Sequence, residues 1–203
     1  MLSTGVVNFG LRQVGIRRKK VFNVSLHRTA THSFHLMCQR QGVRSQHWPG
    51  FSFDAACSPA LTSLDRELVW QFYRPHVRAC DALSDLPVPL VLPQALRDYP
   101  GARFVLIRRS PASWVKSVRR HAEGRELDVM EKFQYWAICG GRQNYISEYS
   151  DEELEEGYEK YQEVVSSLMR EHDALFDVFD LGSYNLGGQI AAFCGFPGGS
   201  AVF

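Results

Sequence analysis

Residues 21–36 read VFNVSLHRTATHSFHL and join an apolar run to a polar helix start. The run Val21–Leu26 predicts the first core strand, and apolar residues at helical spacing predict a helix over Thr31–Gln41. The junction from His27 to Ser33 carries one guanidinium, three hydroxyls and two imidazoles. The free N–H groups and dipole of a helix start favour an anion, so this junction predicts an anion site. The alternative is a polar loop in which Thr31 or Ser33 only caps the helix.

A second anion site is predicted after the segment Arg103–Ile107 (RFVLI), which is the clearest buried strand in the sequence. Ligands of a parallel sheet bind at the carboxyl ends of its strands. A magnesium-dependent nucleotide hydrolase often has a metal-binding aspartate there, but here Arg108 and Arg109 follow the strand. Pro111 suits a helix start, and Ser117 lies about two helical turns after Arg109. The alternative is an arginine pair that is only solvated.

Strands and helices alternate along the rest of the chain. The sequence predicts mostly loop at 43–60, a helix at Leu61–Tyr73, a strand at Val77–Leu83, a short helix ending near Tyr99, a helix from Pro111 to about His121, helices at Leu127–Glu148 and Asp151–His172, a strand at Ala174–Leu181 and a helix at Tyr184–Cys194. Ser150 with Glu153 forms a capping-box pattern. This alternation indicates an α/β fold with a central parallel sheet covered by helices on both faces.

Composition, net charge and cysteine spacing indicate which broad class of protein this is. A chain of 203 residues, 45% hydrophobic, suffices for one domain over residues 1–203. A net charge of +1 predicts no nucleic-acid partner, and no apolar run reaches the ~18 residues of a membrane span. The basic cluster follows the apolar N-terminal stretch, which is the reverse of a secretory signal. Five scattered cysteines form no CxxC pair, so we expect a cytoplasmic protein with reduced thiols and no metal site.

The ordered pair VFNVSLHRTATHS and RFVLIRRSPASWVKS resembles the cytosolic-type sulfotransferases. The patterns ACDALSDLP and AAFCGFP resemble the bacterial and fungal branch, and the resemblance covers about residues 20–198. It implies a P-loop-like, three-layer fold. It also implies in-line, metal-independent transfer of a sulfuryl group from 3′-phosphoadenosine 5′-phosphosulfate to a hydroxyl or amine. The implied acceptor is a small molecule or a carbohydrate.

The resemblance assigns roles to the residues of both motifs. It places Arg28 between the transferred group and the leaving phosphate, and Arg109 and Ser117 at the 3′-phosphate. The residues that would bind the donor are Arg28, Thr29, Ala30, Thr31, His32, Ser33, Arg109 and Ser117. Three residues depart from the family pattern, because Ala30 replaces a glycine, His32 replaces a threonine and His27 replaces a proline. A left-handed backbone at Ala30 would be strained.

Three residues are candidates for the general base. Asp85 precedes Leu-Pro where the family usually has a histidine, although an aspartate can also serve only to form a turn at such a corner. Asp81 would lie on the same side of a strand as Asp85, and could be the base or its partner. His47 is the third candidate. Aromatic residues that could shape an acceptor pocket follow in a predicted loop: Trp48, Phe51 and Phe53.

Two other functions remain open at this point. A catalytically inactive module could keep the fold and bind a nucleotide, a sulfated ligand or a protein, and Ala30 and His32 favour it. A small-molecule P-loop kinase is disfavoured, because no GxxxxGK followed by Ser or Thr occurs, although Phe176–Asp180 offers an acidic strand end. The acceptor and the oligomeric state are also open, and a homodimer is among the states allowed.

Overall fold

The computed structural model describes residues 19–196. Its core is a five-stranded sheet with the strand order β2-β3-β1-β4-β5, and every neighbouring pair is parallel. The strands are β1 (Val21–Asn23), β2 (Ser45–Gln46), β3 (Ala82–Ser84), β4 (Arg103–Arg108) and β5 (Leu175–Asp180). The predicted α/β class with a central parallel sheet is therefore confirmed.

The described residues form eight α-helices around this sheet. They are α1 (Thr31–Arg40), α2 (Phe51–Leu61), α3 (Arg66–Ala79), α4 (Leu92–Asp98), α5 (Pro111–Ala122), α6 (Val129–Cys139), α7 (Asp151–Glu171) and α8 (Leu186–Cys194). Two short 3₁₀ helices span Val88–Val91 and Ile146–Glu148. None of the helices within 19–196 has both the length and the apolar character needed to cross a bilayer.

The alternation of side chains along β4 explains the three layers. Phe104 and Leu106 face a core cluster that includes side chains of α2, α3, α6 and α7. Val105 and Ile107 face the opposite side, where α1 and α8 pack. Successive strand residues point to opposite faces, so a strand that is apolar throughout requires cover on both sides.

A third cluster positions the junction between β1 and α1. Trp114 of α5 is fully buried, stacks on Tyr158 of α7 at a ring separation of 4.7 Å, and donates its indole N–H to the carbonyl of His27 at 2.9 Å. A buried indole N–H needs such a partner. The start of the junction is therefore fixed by packing from α5 and α7.

Several boundaries differ from the sequence predictions. The segment 43–60 was predicted to be mostly loop, which is wrong, because it contains β2 and most of α2 despite Pro59. The helix predicted at Leu61–Tyr73 instead begins after Asp65, whose carboxylate accepts the N–H of Leu68. It continues to Ala79, so the predicted strand at Val77–Leu83 shortens to β3.

The helix predicted at Leu127–Glu148 is also shorter in the structure. It starts after the capping box of Asp128 with Glu131 and stops at Gly140, whose φ of 79° suits only glycine well. Confirmed predictions include the helix start at Pro111 and the capping box of Ser150 with Glu153.

Candidate active site

The loop between β1 and α1 has an unusual backbone. Arg28 and Ala30 adopt left-handed φ angles of 66° and 62°. L-residues other than Asn and Asp rarely do so, and the expected strain at Ala30 is thus present. Ala30 is also the residue that precedes α1, and no side chain caps this helix. Neither Thr31 nor Ser33 acts as a simple cap, and the first N–H groups of α1 are left to bind another acceptor.

The two predicted anion sites meet in space. Arg109 donates to the carbonyl of Arg28 at 2.8 Å, and Arg28 Nε lies 3.4 Å from the hydroxyl of Ser117. A second Arg109 nitrogen donates to Ser113 at 2.5 Å, while its Nε is buried and has no hydrogen-bond partner among the described residues. Burial lowers the pKa of Arg109, and the nearby charge of Arg28 lowers it further. A bound anion would reduce the repulsion between Arg28 and Arg109 and would accept a hydrogen bond from the unpaired Nε of Arg109.

A cavity of about 360 Å³ lies over this junction. It is lined by His27, Arg28, Ala30, Thr31, His32, Ser33, His47, Asp85, Arg109, Ser117, His121 and Leu181. Seven of the eight residues predicted to bind the donor are thus brought together. The exception is Thr29, which is buried and donates its hydroxyl to the carbonyl of Leu26 at 2.5 Å. Its side chain holds the loop rather than facing the cavity.

Asp85 and His47 form a pair. Asp85 follows β3, has a φ of 67°, and precedes the cis peptide bond of Leu86–Pro87. Its Oδ2 lies 2.8 Å from Nε2 of His47, which is also 3.1 Å from the hydroxyl of Thr31. Burial alone would raise the pKa of Asp85, but the hydrogen bond and charge of His47 with the charge of His27 hold it below its usual value. Asp85 is therefore ionised at neutral pH and accepts the Nε2–H of His47.

Asp81, the other carboxylate considered as a base, is placed elsewhere. It precedes β3 whereas Asp85 follows it, so the two lie at opposite ends of one strand. Asp81 is paired with Arg44 at 3.2 Å. It lines neither the cavity over the junction nor the second cavity described next.

This second cavity, of about 530 Å³, adjoins the first. It is lined by His27, His47, Trp48, Phe51, Asp85, Leu86, His121, Arg125, Glu126, Asp128 and Glu131. Trp48 and Phe51 meet edge to face at 4.6 Å, and 75% of Phe51 is exposed. Phe53 is instead buried against Tyr73, which corrects its predicted place in a pocket.

Four residues belong to both cavities: His27, His47, Asp85 and His121. Groups at such a boundary can contact ligands in both spaces at once. The paired Asp85 and His47 are thus in a position to accept a proton from a group in the larger cavity while it approaches an anion in the smaller one.

Sequence reasoning missed the polar residues on the far wall. Glu131 is buried and accepts two hydrogen bonds of 2.7 Å from Arg125. His121 Nε2 lies 3.5 Å from Glu131 Oε1. His27 contacts the hydroxyl of Tyr135 at 2.6 Å, and burial lowers its pKa to about 4. The sequence motif includes His27, but no local pattern joins it to His121 and Glu131, because the three residues come from separate elements.

A third and larger cavity, of about 900 Å³, lies on the other side of Arg109. Arg109 lines both this cavity and the smaller cavity over the junction. Its other walls come from the end of β4 and from α7, where Tyr158, Gln162 and Arg170 contribute side chains. The three cavities therefore follow one another across the carboxyl end of the sheet.

Comparisons with known proteins agree with this arrangement. Residues 20–183 match the sulfotransferase domain family. The crystal structure of a sulfotransferase from Alicyclobacillus acidocaldarius is similar over 89% of this chain and 82% of its own, with a TM-score of 0.51. At 17% identity that likeness concerns the fold alone. A search of curated proteins finds no significant match. Because the family match spans most of the chain and includes both anion motifs, the chain belongs to the sulfotransferase family.

Proposed function

We propose that this protein transfers a sulfuryl group from 3′-phosphoadenosine 5′-phosphosulfate to a hydroxyl or amine of a small molecule or carbohydrate. One observation carries the proposal. An anion cavity and an acceptor-sized cavity share a boundary, and a carboxylate–imidazole pair lies on it. Transfer between two bound groups needs such adjacency, because most of the rate acceleration comes from positioning and charge stabilisation.

The donor fits the residues of the smaller cavity. The uncapped start of α1, the hydroxyls of Thr31 and Ser33, and Arg28 would hold the phosphosulfate. Arg109 and Ser117 would hold the 3′-phosphate, and the buried Arg109 Nε gives that anion an unpaired donor. The larger cavity beside Arg109 would take the adenosine. His32 lines the smaller cavity where the family has a threonine, and its imidazole would replace that hydroxyl contact.

The chemistry requires one bond to break and one to form. The bond between sulfur and the bridging phosphate oxygen breaks as the acceptor oxygen or nitrogen bonds to sulfur in line. Arg28 stabilises the charge that develops on the leaving phosphate, a task that a metal ion shares in phosphoryl transfer. The pair of Asp85 and His47 takes the acceptor proton. Fixed arginine charges in this role make the proposed reaction metal-independent.

Calorimetry with 3′-phosphoadenosine 5′-phosphate and with AMP tests the donor assignment. We expect the bisphosphate to bind at least about tenfold more tightly, since a charge-assisted contact is worth roughly 1.5–3 kcal/mol. Arg109→Gln should remove most of this preference. Arg97→Gln is the matched control, because Arg97 is a surface residue paired with Glu67. Equal affinity of the wild-type protein for the two nucleotides would refute the donor assignment.

An inactive binding module is the second candidate, and the strained backbone at Ala30 favours it. Such a module would bind the bisphosphate with the same preference but transfer nothing. A panel of phenol, alcohol, amine and sugar acceptors with sulfur-labelled donor separates the two functions. Labelled product from any acceptor, absent when Arg28 is replaced by Ala, supports the enzyme.

A further inference from the structure

Three side chains from separate elements converge beside the junction of the two cavities. His27 lies in the loop after β1, His121 near the end of α5, and Glu131 in the first turn of α6. Their ligand atoms, Nδ1, Nε2 and Oε1, all lie within 4.8 Å of one another. Oε1 is 3.5 Å from the His121 nitrogen and 4.0 Å from the His27 nitrogen. The sulfuryl transfer proposed above assigns no step to this cluster.

Two imidazole nitrogens and one carboxylate oxygen form a ligand set that zinc commonly takes in proteins. Tetrahedral zinc with bonds of about 2.0–2.2 Å places neighbouring ligand atoms roughly 3.4 Å apart. The separation between His121 and Glu131 already has this size. The His27 nitrogen lies 4.0 Å from Glu131 Oε1 and must approach that oxygen by about 0.6 Å. Both histidines line open cavities, so an ion has access from solvent.

Second contacts orient two of the ligands. His27 uses Nε2 for the Tyr135 hydroxyl at 2.6 Å, which leaves Nδ1 directed at the cluster. Glu131 Oε2 accepts the N–H of Asp128 at 3.0 Å. Metal-binding histidines typically have their other nitrogen fixed in this manner.

Two arginines oppose a cation, because the charge of Arg28 acts on both His27 and His121 and Arg125 lies against Glu131. Arg125 donates to both oxygens of Glu131 at 2.7 Å and so brings a positive charge next to the site. Among the described residues, Oε1 accepts a hydrogen bond only from Arg125 and keeps a second lone pair, so ligation through Oε1 does not require the ion pair to break. The nearby charge makes the site weaker than a structural zinc site, and therefore suited to reversible occupancy.

We propose that His27, His121 and Glu131 form a reversible zinc-binding site, with solvent as the fourth ligand. This goes beyond the proposed transfer reaction, which uses no metal. A zinc ion there lies at the boundary of the anion and acceptor cavities. It would lie in the path by which an acceptor approaches the donor.

A second group of imidazoles lies close by and competes for the same assignment. The rings of His32, His35 and His47 are 5.3–6.3 Å apart. One nitrogen of His35 contacts Ser45, and one nitrogen of His47 is held by Asp85. Their ligand atoms do not come together within the same limit in the described structure. A variant of His35 therefore distinguishes the two groups.

The test is titration of the full-length, metal-stripped protein with ZnCl₂ in a calorimeter, followed by the visible spectrum with Co²⁺. We expect one equivalent of Zn²⁺ to bind and Co²⁺ to give tetrahedral absorption bands. Loss of a ligand in His121→Ala or Glu131→Gln should weaken Zn²⁺ binding by at least about 100-fold. His35→Ala and His172→Ala should leave it unchanged. Melting curves establish that each variant is folded, and the half-exposed His121 makes the first variant the milder one.

The proposal is overturned if the wild-type protein binds no Zn²⁺, or if a folded His121→Ala variant binds it as tightly as the wild type. Loss of binding in His35→Ala instead would assign the ion to the other histidine group. None of these measurements depends on sulfuryl transfer. A failure of this proposal is therefore distinct from a failure of the proposed enzyme.

Discussion

Replacement of Asp85 and His47, singly and together, tests whether the pair acts as one base. Asp85→Asn keeps the side-chain volume and suits the left-handed φ of 67°, since asparagine tolerates that conformation. His47→Gln keeps a polar side chain of similar reach. The structure joins the two residues by a contact of 2.8 Å between Oδ2 and Nε2.

The size of the effect follows from this geometry. Both side chains are mostly buried, with 15% and 25% exposed, so neither group is readily replaced by water. Removal of a general base costs about 10²–10⁴-fold in rate, or roughly 3–5.5 kcal/mol of barrier. If the residues act as a unit, the double variant loses no more than the worse single variant. Independent roles would multiply to about 10⁴–10⁸-fold.

The assay is single-turnover transfer with the best acceptor from the panel, combined with calorimetry for the bisphosphate. Affinity for the nucleotide should be retained, because Arg28, Arg109 and Ser117 are untouched. Asp81→Asn is the matched control, since it removes a carboxylate at the other end of β3 and should keep near-wild-type turnover. A folded Asp85→Asn variant with wild-type turnover would refute the role of Asp85 as a base. Rate losses that multiply in the double variant would refute the idea that Asp85 and His47 act as one unit.

The same variant has a defined dependence on pH. The pKa of Asp85 is lowered in the folded protein, so its ionised form contributes stability above the unfolded pKa. That contribution is lost as pH falls through the folded pKa. We expect the melting temperatures of the wild type and Asp85→Asn to differ at neutral pH and to converge in acid. A constant difference across the titration would contradict the lowered pKa.

Three further predictions concern strain, burial and metal. Ala30→Gly should relieve about 1–2 kcal/mol of left-handed backbone strain, while the greater entropy of the unfolded glycine chain costs about 0.4–1 kcal/mol of stability. The melting temperature should therefore rise by roughly 1–3 °C. The control Ala95→Gly, in the middle of α4, should lower it. Burial and the charge of Asp128 raise the pKa of Asp54 to about 7, so the stability of the wild type should fall as the pH rises from about 4 to about 7. The Asp54→Asn variant should lack this decline. Melting temperatures that change equally with pH in the two proteins would disprove the raised pKa. Activity should survive EDTA, and a complete loss that magnesium reverses would favour a kinase.

The elements that local pattern decides were predictable. β4 reads as a strand because the four apolar residues from Phe104 to Ile107 alternate between two buried faces. Pro111 and the pair of Ser150 with Glu153 mark helix starts through local hydrogen bonding. The sequence also placed Arg28 and Arg109 at the carboxyl ends of two strands, but their meeting depends on β1 and β4 being neighbours, which the structure shows.

Residues whose role depends on distant packing were not predictable. Pro59 indicates a loop, yet α2 contains it, because Phe53 and Cys57 bury their side chains in the core and offset the missing hydrogen bond. On any strand that contained both residues, Asp81 and Asp85 would point to the same face. Only the short length of β3 places them beyond opposite ends.

The fold class and the proposed anion site could be predicted from the sequence, because strand periodicity and the loop before α1 depend on neighbouring residues. Which groups surround the proposed site depends on the tertiary structure. Asp85, which follows β3, contacts His47, which follows β2. His27, His121 and Glu131 come together from three separate elements. Such contacts depend on how helices pack over the carboxyl end of the sheet, and no local pattern in the chain encodes that packing.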